Sequence, residues 1–140
     1  SFPTRRSSDL DHRLARRRHV SPPELANETF ITREQGSGTR MLMQQYFERV
    51  GLEPKLGMAM DSNETIKQAV MARLGIAFIS QHTVFHELED GRLVVLKVKG
   101  LPIVRQWHAI RRTDKILLPP AQAMLDFLGK EGWRYLPNSH

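Results

Sequence analysis

Cysteine is absent from the 140 residues, which excludes a disulfide framework, a thiolate zinc site and a cysteine nucleophile together. That usage fits a cytoplasmic protein. Long apolar runs are absent too, so nothing in the chain is long enough to cross a bilayer and no membrane partner is expected. Catalytic signatures are equally scarce. Ser80 lacks the flanking glycines of a nucleophile elbow. Glu34, Asp61 and Glu64 stand singly near loop ends, and nothing in the sequence pairs them for acid–base work. His82 and His86 are spaced i, i+4 in HTVFH, yet the HExxH base and a third ligand are lacking. They read as partly exposed histidines. No metal, cofactor or enzymatic activity is expected.

What is present begins with charge. The formal net charge is +6, but it is unevenly placed. Residues 1–20 hold Arg5, Arg6, Arg13, Arg16, Arg17 and Arg18 against Asp9 and Asp11 only, an excess of four. The remaining 120 residues carry 15 basic and 13 acidic side chains and are nearly balanced. A DNA-binding surface in this piece is therefore not expected from charge. The opening SFPTRRSSDL shows neither helical nor strand periodicity. Codon for codon it resembles the translation of a common short-read sequencing adapter, so residues 1–10 read as a non-native scar that packs against nothing, Phe2 and Leu10 included. The other reading is a natural disordered basic tail. With a scar in front, residues 11–140 would be a fragment of a longer protein.

The rest is one domain's length, and a 40% hydrophobic content can fill a core. Ser21 and Pro22 mark a short helical start. TFITR (29–33) reads as a strand. From Ser37 to Val50 the residues Met43, Tyr46, Phe47 and Val50 recur at i, i+3, i+4, i+7, one helix face, with Gly51 as its stop. KLGMAMD (55–61) reads as a strand, and SNETIKQAVMAR as a helix burying Ile66, Ala69 and Val70. Strands are expected at GIAFIS (75–80), RLVVLKV (92–98) and PIVRQWHAIRR (102–112), with a short helix between the first two that ends at Gly91. LLPPAQAMLDFLGKEG closes the chain as a helix with Ala121, Met124, Leu125 and Leu128 inward. Trp107 and Trp133 read as core or rim aromatics, and Arg111, Arg112 and Lys115 as a solvated edge. Alternation of strands with helices argues for an α/β layer with a largely parallel sheet.

Two helix starts could hold a ligand. In REQGSGTR (33–40) a strand ends, glycines permit a tight turn, and a helix opens at Ser37 or Thr39. Such a start offers unpaired N–H groups and the positive end of the helix dipole to an anion. No Gly-Lys-Ser/Thr follows, so this is not a P-loop. Taken alone, a capped turn without ligand is the commoner meaning. MDSNETIK (60–67) repeats the pattern, with Ser62, Asn63 and Thr65 able to cap the helix or touch a ligand. Two such starts in consecutive β-α units gain meaning because ligands in open α/β sheets gather at the carboxyl ends of strands.

FITREQGSGTR, NETIKQAVMARLGIAFIS, GRLVVLKVKGLPIVRQWHAIRR and LLPPAQAMLDFL, in this order and spacing, resemble the effector-binding domain of LysR-type transcriptional regulators from about residue 11 onward. LPIVRQW with LLPPAQ resembles the subgroup controlling Calvin-cycle (RuBisCO operon) genes. The resemblance implies a type II periplasmic-binding-protein-like fold: two α/β subdomains joined by two crossing strands, with the effector between them. Residues 28–100 would form the second subdomain, and 102–132 the returning strand and last helix of the first. The winged helix-turn-helix would lie outside this chain, so operator DNA would be a partner only of the full-length protein, a homo-oligomer (tetramer) in this family. The implied ligand is a small anionic effector, a phosphorylated one if the subgroup holds, and the cleft residues are Gly36, Ser37, Gly38, Thr39, Ser62, Asn63 and Ser80. A periplasmic solute-binding protein of a transporter is the alternative. Arg73 departs from the family pattern, which usually has glycine there, at a left-handed helix end.

Overall fold

In the computed structural model, which describes residues 12–136, the strand β1 (Thr29–Arg33) is the centre of the architecture. Phe30, Ile31 and Thr32 are buried in succession, so both faces of this strand are covered. It pairs in parallel with β2 (Lys55–Met60) on one side and β3 (Ile76–Ala77) on the other, in the order β2-β1-β3. Successive strand residues point to opposite faces. Phe30 meets Phe47 of α2 (Gly38–Val50) edge-on with centroids 5.4 Å apart, while Ile31 packs with Ile66 and Ala69 of α3 (Asn63–Met71). The two helices therefore cover opposite faces. This is what right-handed crossovers impose when the chain moves first to one side of β1 and then to the other.

The helix α1 (Pro22–Ala26) opens as expected, with a capping box between Ser21 and Glu24. In α2, Met43, Tyr46 and Phe47 are buried and Val50 is half-buried. The Tyr46 hydroxyl donates to the Lys99 carbonyl at 3.0 Å, tying the far end of this unit to the core. Close approach makes Gly75 obligatory: a Cβ there would stand 2.4 Å from the Thr29 carbonyl oxygen.

Three expected strands are shortened or missing. GIAFIS keeps only Ile76–Ala77. Its outer side has no neighbour among the described residues, so nothing extends the ladder, and residues 78–80 turn into a 3-10 segment (Gln81–Val84) followed by α4 (Phe85–Glu89). Gly91, in the left-handed conformation, follows that helix. RLVVLKV forms no strand; its one bridge among the described residues is the parallel pairing of Val98 with Val20. PIVRQWHAIRR forms none either, and Val104, Trp107 and Ile110 are 80%, 69% and 92% exposed. β-branched and aromatic residues favour a strand only where a partner and a packed face are supplied.

The chain divides into two compact units, one up to Pro102 and one from Ile103 onward. In the second unit α5 (Pro119–Glu131) forms where expected, but its apolar stripe is not inward. Ala121, Met124 and Leu128 are exposed and only Leu125 is half-buried, because within the unit the main neighbour of α5 is the 3-10 turn Gly132–Tyr135 that follows it. Phe127 meets Tyr135 with centroids 5.6 Å apart. Trp107 and Trp133 are both exposed, so neither is a core aromatic; the Trp133 indole donates to the Lys130 carbonyl and lies under Arg134. The scar reading of residues 1–10, with Phe2 and Leu10, lies outside the described residues.

Candidate functional site

Because β1 and β2 are parallel and in register at Arg33↔Met60, their carboxyl ends finish level with one another. The Glu34 N–H donates to the Met60 carbonyl at 3.0 Å and joins the two outgoing loops. After β1, Gly36 takes φ +92°, a left-handed conformation that lets the chain double back into α2. Ser37 is the N-cap of α2, followed by Gly38 and Thr39 in its first turn. The Ser37 hydroxyl makes no capping bond. After β2, Ser62 is the N-cap of α3 and its hydroxyl accepts from the Thr65 N–H at 3.4 Å. Asn63 is the first residue of that helix. Ser80 follows β3, which is parallel to β1, and its carbonyl accepts from the Thr83 hydroxyl at 2.8 Å.

The two helix starts share an edge and are physically linked by a residue that sequence reasoning passed over. Arg33 closes β1, and its Nη1 donates to Asn63 Oδ1 at 2.9 Å across thirty residues of chain. Its other guanidinium nitrogens grip Glu34, Nε to Oε2 at 2.7 Å and Nη2 to Oε1 at 2.9 Å. This pairing raises the Arg33 pKa and holds the Glu34 carboxyl below its ordinary range. Arg40, in the first turn of α2, donates from Nη1 to the Arg33 carbonyl at 3.2 Å, while its Nε is buried without a partner among the described residues. The signal in the sequence was the placement of Arg33 and Arg40 on either side of the glycine turn. Which groups they meet depends on the parallel register, which the sequence does not state.

Glu34 and Glu64 each meet a cation: Glu34 is held by Arg33, and Glu64 meets Lys67 Nζ at 2.7 Å. Among the described residues every carboxyl with a displaced pKa is displaced downward, by hydrogen bonds to serine, arginine or lysine in the first place. None is tuned toward a proton donor at neutral pH. This edge carries the Ser37 hydroxyl, the Arg33 and Arg40 guanidinium groups, the Glu34 carboxylate held by Arg33, and the first turns of two helices. His82 lies in the 3-10 segment and His86 on α4, where it approaches Glu89 at 3.7 Å. Among the described residues no three His, Asp or Glu side chains are grouped as metal ligands.

The model of the LysR substrate binding domain matches residues 9–133. The HTH-type transcriptional regulator CbbR of Xanthobacter flavus is 55% identical over 130 residues, covering 91% of this chain and 39% of that protein. The RuBisCO operon transcriptional regulator of Allochromatium vinosum is 46% identical over 124 residues, covering 89% and 41%. The chain thus spans about two-fifths of the length of these relatives. Among solved structures, the regulatory domain of Synechocystis CcmR in complex with 2-PG superposes with a TM-score of 0.78 at 37% identity, covering 85% of this chain and 57% of that one. The effector binding domain of QuiR in complex with shikimate has a TM-score of 0.71 at 19% identity, covering 91% and 60%, a likeness of fold. The periplasmic-binding-protein-like fold and the resemblance to the RuBisCO operon subgroup are both borne out. With the parallel sheet, the glycine turn after β1 and the matched span in agreement, the chain belongs to the LysR substrate binding domain family.

Proposed function

We propose that this chain senses a small anionic metabolite for a bacterial LysR-type transcription factor. The carboxyl edge formed by Gly36, Ser37, Gly38, Thr39, Ser62, Asn63 and Ser80 is its half of the effector cleft. The observation that carries this reading is the common edge: two helix starts emerge level from neighbouring parallel strands, with Arg33 bridging them. An anion there meets helix amides and dipoles from both starts, each charge-assisted hydrogen bond contributing roughly 1.5–3 kcal/mol. Residues 28–100 act as one subdomain and 102–132 as part of the other, a reading favoured by the division of the chain after Pro102. Effector binding shifts the equilibrium between subdomain arrangements and through it the homo-oligomer on operator DNA, which a helix-turn-helix outside this chain contacts. The work is done in the cytoplasm and involves no catalysis. The relatives reported above are transcriptional regulators, which leaves the transporter alternative without support.

The test uses the intact regulator and 2-PG, the compound in the Synechocystis complex, as probe. Calorimetric titration should show saturable binding, weakened at least tenfold by Thr39→Ala, with basal DNA binding and melting temperature kept. Ser62→Ala should also weaken binding, but it removes the α3 cap and costs about 1 kcal/mol of stability besides. Unchanged titration curves for both variants would sink the site assignment.

A further inference from the structure

The described part of the basic stretch near the start of the chain is tied to the fold at Val20. The parallel bridge Val20↔Val98, with the Val20 N–H donating to the Lys97 carbonyl at 2.8 Å, lays residues 18–20 beside residues 97–99. Val20 and Val98 are buried. On either side of this buried pair His19, Lys97 and Lys99 are exposed, as is Arg18. Beneath the surface the buried Tyr46 links this segment to α2, its hydroxyl donating to the Lys99 carbonyl and its ring lying 6.0 Å from the guanidinium of the exposed Arg49. Segments thirty to eighty residues apart in sequence therefore present Arg18, Lys97, Lys99 and Arg49 along one connected strip.

The carboxylates that follow Arg18 in sequence, Glu24 and Glu28, take other cations. Glu28 takes Arg13 and His12, and Glu24 takes Arg17 at 3.1 Å. Among the described residues, Arg18, Lys97, Lys99 and Arg49 form no ion pair. A strip of exposed cations without counter-charges attracts a polyanion, and its extended form suits regularly spaced phosphates better than a single small ion. We propose that this ridge lies along the phosphate backbone of duplex DNA and adds sequence-independent affinity to the intact regulator. Lysine ammonium groups act there as point charges and the arginine forks as bidentate donors to phosphate oxygens, with no contact to base edges. The proposal rests on the regulator reading only for bringing DNA within reach; effector titration tests that reading separately.

The experiment is the salt dependence of affinity of the intact regulator for its own promoter duplex. Each lost phosphate contact lowers the slope of log K against log salt by about 0.9. The triple variant Arg18→Gln/Lys97→Gln/Lys99→Gln should lose about 2.7 of slope, with binding weakened most at low salt and base preference unchanged. An unaltered slope overturns the proposal. So does an unaltered slope with reduced transcription, which assigns the ridge to an acidic protein. Should the triple variant lose its circular dichroism signal, Lys97→Gln and Lys99→Gln taken singly must each lower the slope by about 0.9.

Discussion

Arg73 occupies a backbone position that the other long helix of the same unit fills with glycine. At the end of α2, Gly51 has φ +70°, its N–H bonds to the Glu48 carbonyl, and the Leu52 N–H reaches back to the Phe47 carbonyl. At the end of α3 the same pair of bonds recurs, Arg73 N–H to Val70 and Leu74 N–H to Ala69, with Arg73 at φ +65°. Both are Schellman ends, and only glycine enters the left-handed region without a clash of Cβ against the backbone. Arg73→Gly should stabilise the fold by about 1 kcal/mol, less what the arginine side chain gains from its own contact. The mirror experiment is Gly51→Ala, where a Cβ meets nothing within 4 Å and the loss of about 1 kcal/mol reports backbone strain alone. Urea denaturation of both variants checks the pair; a destabilised Arg73→Gly together with a neutral Gly51→Ala would contradict the argument.

A second residue-scale feature joins α3 to α4. Lys67 Nζ lies 2.9 Å from Glu87 and 2.7 Å from Glu64, with Glu87 itself buried. The Lys67 hydrogen bond holds the Glu87 carboxyl below its ordinary 4.5, and bonds from Glu64 and then Glu87 hold the Lys67 ammonium above its ordinary 10.5. A lowered carboxyl contributes stability above its unfolded value and loses it as acid protonates the folded form. A raised ammonium contributes fully below its unfolded value and loses it as base removes the proton. The pair is therefore at full strength between pH 4.5 and 10.5. Glu87→Gln should lower the urea midpoint at neutral pH and flatten the loss of stability on the acid side. An acid limb as steep as in the parent chain would show that the pair contributes nothing there.

At the scale of elements, β1, α2, β2 and α3 were legible because their signals are local. Periodicity, N-cap serines and the glycine stop at 51 lie inside each segment and need no distant partner. The opposite holds for residues 92–112. Their β-branched and aromatic residues match a strand pattern, yet a strand exists only once another strand lies alongside, and the sequence carries no record of whether one does. The same reasoning applies to the candidate site. Glycines and hydroxyls at each helix start could be read from adjacent residues, whereas the Arg33–Asn63 contact follows from the parallel register of β1 and β2 and appears only in the folded chain.

At the scale of the whole molecule, apolar exposure is concentrated in the unit beginning at Ile103. Val104, Trp107, Ile110, Ile116, Leu118 and Trp133 each stand at two-thirds exposure or more, and the apolar positions of α5 are open as well. Single exposed apolar residues are ordinary, but a run of this extent on one short unit exceeds what a soluble monomer usually carries. By contrast the unit built on β1 buries Tyr46, Phe30, Phe47 and Ile66 almost completely. Burial of apolar surface yields roughly 25 cal/mol per Å², so association of two such chains through the second unit recovers free energy that the chain alone does not capture. The isolated 140-residue chain should therefore elute from size-exclusion chromatography as a concentration-dependent oligomer and enhance the fluorescence of a hydrophobic dye. Replacing Val104, Ile110 and Ile116 with threonine should move it toward monomer while leaving the unfolding transition of the first unit in place, because none of these side chains lies in that core. A clean monomer with no dye-accessible surface in the parent chain would mean that these side chains find cover within a single copy, and the association argument would then fail at its first step.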